Sequence, residues 1–317
     1  MSPSIKALAL KLVGALLFLS AIAMWMSRAP DWPVEALVAR WAPPPSQFID
    51  LDGQLVHLRD VGPRDDPEPL VLVHGAASSL HTWEGWVQAL GGRRRIITFD
   101  LPGFGLSGPN PDGRYSGESD ARFVLALMDR LRVQRFAIGG NSLGGEVAWR
   151  TALLAPERVT RLILVNATGP ASGRDAASLG SMLARLPLLP RVLDVVLPRP
   201  LVVAGLRRAY GDPARIDAAL VDRYYELLLR EGNRRALVQR FAQRDPGQDA
   251  ERLPELKLPT LILWGGRDRL LPPVMAAQFQ QAIAGSERVV LDGLGHMPQE
   301  EDPSRSVAPV TRFLPPR

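Results

Sequence analysis

Gly140-Asn141-Ser142-Leu143-Gly144 follows directly on Arg135-Phe136-Ala137-Ile138-Gly139, and helix-forming residues then run to about Ala155, ahead of Pro156. A short apolar run, a glycine-flanked serine and a helix together predict a buried strand, a tight turn and a helix start. At such a corner the serine hydroxyl is pushed away from the backbone, where it can attack an electrophile. Glycine is required on both sides because a Cβ would meet the neighbouring strand and helix.

A serine hydroxyl is a weak nucleophile until a base takes its proton, and the base needs a carboxylate to orient it. Of His57, His74, His81 and His296, only His296 comes late, in Gly293-Leu294-Gly295-His296-Met297-Pro298. It follows the strand-like Glu287-Arg288-Val289-Val290-Leu291, so it is expected on a loop at a strand end. The carboxylate assigned to it is Asp268, which follows the buried strand Thr260-Leu261-Ile262-Leu263-Trp264 through Gly265-Gly266-Arg267. Asp292 shares the histidine's own loop and is poorly placed to grip the ring from behind. Asn166, after Arg161-Leu162-Ile163-Leu164-Val165, holds another strand end where an acid could have stood.

A developing oxyanion needs backbone donors. Leu70-Val71-Leu72-Val73 reads as a buried strand, and His74-Gly75-Ala76-Ala77-Ser78-Ser79 as the loop after it. Gly75 lets this turn approach the serine. The expected donors are the N–H groups of Ala76 and Leu143, the latter at a helix N-terminus whose field favours negative charge. His74 is read as a brace for the loop, Asn141 as a supporting neighbour of Ser142, and His57 and His81 receive no role.

With these residues in place the chain resembles the α/β-hydrolase superfamily over about residues 48–313. The resemblance is carried by His74-Gly75, the turn Asp100-Leu101-Pro102-Gly103-Phe104-Gly105-Leu106-Ser107, Gly140 to Gly145, Gly266-Arg267-Asp268 and Gly295-His296. Within the superfamily, His74-Gly75 and Leu80-His81-Thr82-Trp83 make it most similar to bacterial membrane-associated esterases and lipases. The resemblance implies a mostly parallel central sheet flanked by helices, a helical cap insertion, and a Ser142, Asp268, His296 triad that cleaves carboxylic esters through an acyl-enzyme. It implies a small-molecule or lipid ester as substrate and no metal or organic cofactor. The alternative is a C–C bond hydrolase of aromatic ring-cleavage products, which shares Gly-Asn-Ser and an arginine before the acid. Against it stand Met297, where those enzymes carry tryptophan, and an oxyanion loop poorer in glycine. A non-catalytic, membrane-tethered binding protein on the same fold would be marked by a lost triad member, and none is lost.

The bulk composition agrees with a globular enzyme. The 317 residues are 46% hydrophobic and 22% charged, with a formal net charge of +5 and no cysteine. Thiolate chemistry and disulfides are excluded. The basic residues are nearly all arginines dispersed among acids, not gathered on an aromatic-bearing face, so no nucleic-acid partner is expected.

Lys6 and Lys11 precede or interrupt an apolar stretch over residues 5–26. Its length predicts a membrane anchor with a cytoplasmic N-terminus and the enzyme on the periplasmic or other extracytoplasmic side. The rival is a secretory signal cleaved near Ala21-Ile22-Ala23. The expected organisation is an N-terminal anchor or signal over residues 1–28, a Pro-rich linker over 29–46, an α/β-hydrolase core over 47–167 and 250–317, and a helical cap over 168–249. Apolar cap segments at residues 183–189 and 193–197 are candidates to line an acyl pocket above Ser142.

Overall fold

The computed structural model describes residues 3–170, 194–243 and 247–316. Its centre is one eight-stranded sheet: β1 (Ser46–Leu51), β2 (Gln54–Val61), β3 (Leu70–Val73), β4 (Ile96–Phe99), β5 (Phe136–Asn141), β6 (Val159–Val165), β7 (Thr260–Gly265) and β8 (Glu287–Leu291), in the spatial order β1-β2-β4-β3-β5-β6-β7-β8. β1 and β2 are antiparallel and from β4 onward every pairing is parallel. The α/β-hydrolase architecture expected from the sequence is the one observed.

Buried on both faces, the parallel strands carry near-continuous apolar runs. Alternate residues serve opposite layers: Val71 and Val73 join one core with Ile138, Leu162, Leu164 and Trp264, while Leu70 and Leu72 join the other with Trp83, Trp86, Ile163 and Leu263. Helices α4 (Gly117–Arg130) and α5 (Leu143–Leu154) cover the first face. Helix α3 (Glu84–Leu90) and the C-terminal helix α11 (Pro303–Phe313) cover the second, tied by a 2.8 Å hydrogen bond from Trp86 Nε1 to Ser306 Oγ. Local chemistry starts these helices. Ser116 caps α4 by accepting from Ser119 N at 3.0 Å, and Asp302 caps α11 by accepting from Arg305 N at 3.1 Å. The chain leaves β3 toward β4 on one side and returns to β5 on the other. The crevice at the carboxyl ends of β3 and β5 is therefore the topological switch point, where ligands bind in open α/β sheets.

Between β6 and β7 the described helices are α6 (Arg199–Ala209), α7 (Ala218–Leu228) and α8 (Asn233–Gln243), and residues of α6 and α7 line the cavity over those strand ends. The apolar segment at residues 183–189 lies outside the described residues. The stretch read as a linker is stitched to these helices. Ala29 N donates to Val195 O at 2.9 Å, Leu197 N to Ser27 O at 3.1 Å, Trp32 N to Leu229 O at 2.7 Å and Glu231 N to Trp32 O at 2.8 Å. Helix α2 (Val34–Trp41) then buries Leu37 against Leu106 and Leu227.

The structure does not support the expected membrane anchor. Helix α1 forms over Pro3–Met26, yet among the described residues no helix is long and apolar enough to cross a membrane.

One buried ion pair fastens α8 to the core. Arg240, on α8 and 2% exposed, pairs with Asp120 on α4, donates to Pro102 O at 2.8 Å, and lies 5.0 and 4.9 Å from the ring centres of Phe104 and Tyr115. Removing one partner of such a pair strands a charge in a dry site. Arg240→Ala is expected to lower the free energy of unfolding by about 3–5 kcal/mol, read as a reduced urea midpoint. A loss below about 1 kcal/mol, the range of exposed ion pairs, would show that the pair does not fasten this contact.

Candidate active site

Ser142 sits between β5 and α5 with φ 55° and ψ −116°, a conformation strained for any L-residue. Its neighbours hold it there. Ser142 N donates to Val165 O at 3.0 Å, and its carbonyl accepts from Gly145 N at 3.0 Å, Glu146 N at 3.2 Å and Thr168 N at 3.0 Å. The flanking glycines are required by contact. A Cβ on Gly140 would lie 2.0 Å from Gly144 O, and one on Gly144 would lie 2.1 Å from Val73 O.

The structure brings Asp268 and His296 together. Nδ1 of His296 is 2.8 Å from Asp268 Oδ2. The carboxylate is filled on all sides, with Leu270 N and Leu271 N donating to Oδ1 at 2.7 and 2.9 Å and Asn166 Nδ2 donating to Oδ2 at 2.6 Å. With both carboxylate oxygens accepting, Nδ1–H of His296 is the donor of their contact and Nε2 is left as an acceptor. The backbone of His296 is pinned as well. Its N–H donates to Ala209 O at 2.6 Å and its carbonyl accepts from Asn141 Nδ2 at 2.9 Å. Ser142 and His296 line the same cavity. The Oγ–Nε2 hydrogen bond between them is not made in this structure; catalytic hydrogen bonds often tighten only once substrate is bound.

That cavity has a volume of about 290 Å³ and is walled by Ala76, Val202, Leu206, Leu228 and Met297 around the serine. Gly75 makes the close approach of the β3 loop possible, since a Cβ there would lie 3.0 Å from Asn141 Oδ1 and 3.2 Å from Ser142 Cβ. Ala76 thereby borders the cavity beside Ser142, and Leu143 is the first residue of α5. Neither N–H is spent on a backbone acceptor among the described residues.

His74 is placed as a brace. Its Nδ1–H donates to Gly75 O at 2.7 Å and its Nε2 accepts from Leu101 N at 3.0 Å, which fixes a neutral ring. Complete burial pushes its pKa down. Sequence reading missed three supporting groups. Asn166 grips the catalytic-side carboxylate oxygen. Glu301 accepts from Gly295 N at 2.7 Å, Gly211 N at 3.0 Å and Asp212 N at 2.8 Å, binding the histidine loop to the α6 end. His57 forms a second buried line: its Nδ1 is 2.7 Å from Asp100 Oδ2 and its Nε2 3.0 Å from Ser46 Oγ, while its ring stacks on Phe48. Asp100 also accepts from Leu80 N and Leu106 N at 2.7 and 2.8 Å, so this line ties loops together. Burial alone would raise the Asp100 pKa, but His57, with His74 and His81 nearby, holds it below the carboxylate range.

The comparisons with known proteins agree with this fold. A model of the alpha/beta hydrolase fold family matches residues 68–303. The chain belongs to that family. It is 29% identical to the 2-hydroxy-6-oxo-2,4-heptadienoate hydrolase of Pseudomonas putida F1, over 81% of this chain and 92% of that protein. It is 30% identical to the dihydrolipoyllysine-residue acetyltransferase component of the acetoin cleaving system of Pseudomonas putida, over 81% of this chain but 66% of that protein. Among solved structures, a meta-cleavage product hydrolase from Pseudomonas fluorescens superposes with a TM-score of 0.71 at 26% identity, covering 84% of this chain and 96% of that one.

The buried histidines of this hydrolase set a pH dependence. His81 is held by Ser79 Oγ at 2.9 Å and Trp41 O at 2.8 Å, and burial pushes its pKa down to about 4. Below about pH 6.5 the unfolded chain therefore binds protons at His74 and His81 that the folded chain refuses. Stability should fall as pH drops from 6.5 toward 4, by on the order of 1 kcal/mol per pH unit for each histidine. Urea unfolding across that range should give a shallower slope for His81→Gln. An unchanged slope would show that this imidazole titrates normally.

Proposed function

We propose that the protein is a serine hydrolase that cleaves carboxylic esters of apolar acyl groups through an acyl-enzyme. In this reading His296 Nε2 takes the proton of Ser142 Oγ as the oxygen attacks the ester carbonyl. Asp268 keeps the ring in the required tautomer and stabilises the imidazolium. The N–H groups of Ala76 and Leu143 receive the oxyanion, each worth about 3–4 kcal/mol of transition-state stabilisation. The imidazolium then protonates the departing alcohol, and His296 activates the water that releases the acid. The supporting observation is a strained serine and an Asp268-held imidazole bordering one apolar cavity.

A second reading, cleavage of a C–C bond in an aromatic ring-cleavage product, draws support from relatives that hydrolyse 2-hydroxy-6-oxo-dienoates. Such substrates carry a carboxylate. The described residues lining the cavity include no arginine or lysine to pair with it, and burying an unpaired charge is costly. This favours a neutral acyl group.

Two assays separate the readings. Turnover of p-nitrophenyl butyrate is expected, with Ser142→Ala lowering kcat by roughly six orders of magnitude, to near background. Loss of the dienone absorbance of 2-hydroxy-6-oxo-hepta-2,4-dienoate is expected to be slow. A kcat/KM for the dienoate well above that for the ester would transfer the assignment to C–C hydrolysis, and full ester turnover by Ser142→Ala would refute both.

Export from the cytoplasm belongs to the same proposal. Two lysines followed by the apolar residues 12–26 fit the charged and apolar regions of a secretory signal. N-terminal sequencing of the protein from a cell-envelope fraction should locate a cut near Ala23. Recovery of the whole chain in the cytosol would contradict export.

A further inference from the structure

Four residues of α6 line the cavity over Ser142: Val202, Gly205, Leu206 and Ala209. Their spacing, i, i+3, i+4, i+7, is the stripe that a cap helix turns inward. One member of the stripe has no side chain. Glycine in a helix interior costs about 1 kcal/mol relative to alanine, so its presence calls for a compensating reason. Conformation does not provide one, because the residue lies within a regular helix and is not among those with positive φ. Close packing does not either. A Cβ built on Gly205 meets nothing within 4 Å among the described residues, in contrast to Gly140 and Gly144, where contact forbids one. What remains is the space itself.

The cavity supplies a use for that space. At about 290 Å³ it lies at the lower end of the ~300–1,000 Å³ common for ligand pockets. A short acyl group fits inside, whereas a long one needs an exit. Gly205 is exposed as well as cavity-lining, so the gap opens outward. Apolar side chains flank the way out. Leu201, one helical turn earlier on the same side of α6, is 58% exposed, and Leu270, which also borders the cavity, is 39% exposed.

We propose that Gly205 is a notch in the roof of the active site through which the acyl chain of a long-chain ester leaves the cavity, making this position the determinant of acyl-chain length. The proposal rests on the ester reading given above. Filling the notch should penalise long chains more than short ones, because only a long chain has to pass position 205.

The test is a p-nitrophenyl ester series from acetate to palmitate on the wild type, Gly205→Ala and Gly205→Phe. Gly205→Phe should lower the ratio of kcat/KM for decanoate and longer chains to that for acetate and butyrate by about tenfold or more. Gly205→Ala should change that ratio less and raise Tm, as expected for a helix-interior glycine. A uniform change along the series, or no change, would overturn the notch. Calorimetric binding of dodecanoate to Ser142→Ala, with and without Gly205→Phe, provides a readout independent of turnover. A loss of tenfold or more in affinity supports the notch even if no ester is hydrolysed, in which case the ester reading alone fails. Unchanged affinity, or no binding to either form, overturns it.

Discussion

The backbone of Ser142, held at φ 55° and ψ −116°, is the constraint around which the molecule is built. A residue at such angles costs about 1–3 kcal/mol and persists only where its surroundings over-determine it. Here the surroundings are β6 on one side, through Val165 O, and the first turn of α5 on the other, through Gly145 N and Glu146 N. The strand-to-helix corner can be that sharp only because positions 140 and 144 lack Cβ atoms. The same sharpness sets the helix N-terminus and its unspent N–H groups beside the hydroxyl. The position of the proposed nucleophile and the field that would stabilise its product charge thus arise from one local geometry.

The remaining polar groups reach that corner from other strand ends, and each is braced before it arrives. Asp268 is saturated by Leu270, Leu271, Asn166 and His296, so little freedom is left for its carboxylate. The histidine loop is fastened twice to the cap side, by His296 N to Ala209 O and by Glu301 bridging Gly295, Gly211 and Asp212. The helix that roofs the cavity and the loop that carries the imidazole therefore share hydrogen bonds. Movement of α6 away from the sheet has to break bonds that also position the ring. The N-terminal segment adds to this restraint, since residues 27–32 pair with the chain on both flanks of α6 and α7.

Much of this was legible in the sequence, and the limits have physical causes. The parallel strands declared themselves as short apolar runs, and Ser142, Asp268 and His296 could be selected because each follows such a run. Asn166 was weighed only as the absence of an acid; that its amide would hold Asp268 depends on β6 and β7 being neighbours, which local pattern does not encode. His57 received no role because its partner Asp100 becomes adjacent only through the antiparallel pairing of β2 with β4. Glu301 reads as an ordinary helix-start acid until the α6 end folds over it. Gly205 is a lone glycine in a helical stretch, and only the open space above Ser142 gives it meaning.

The central claim is that Ser142 is activated by this arrangement and that no other serine is. Intact and peptide mass spectrometry after reaction with a fluorophosphonate measures this directly. The account predicts a single adduct, mapped to Ser142, that forms rapidly in the folded protein and is lost when the protein is denatured first. An unlabelled protein, or an adduct mapped to Ser46 in the His57–Asp100 line, would contradict it.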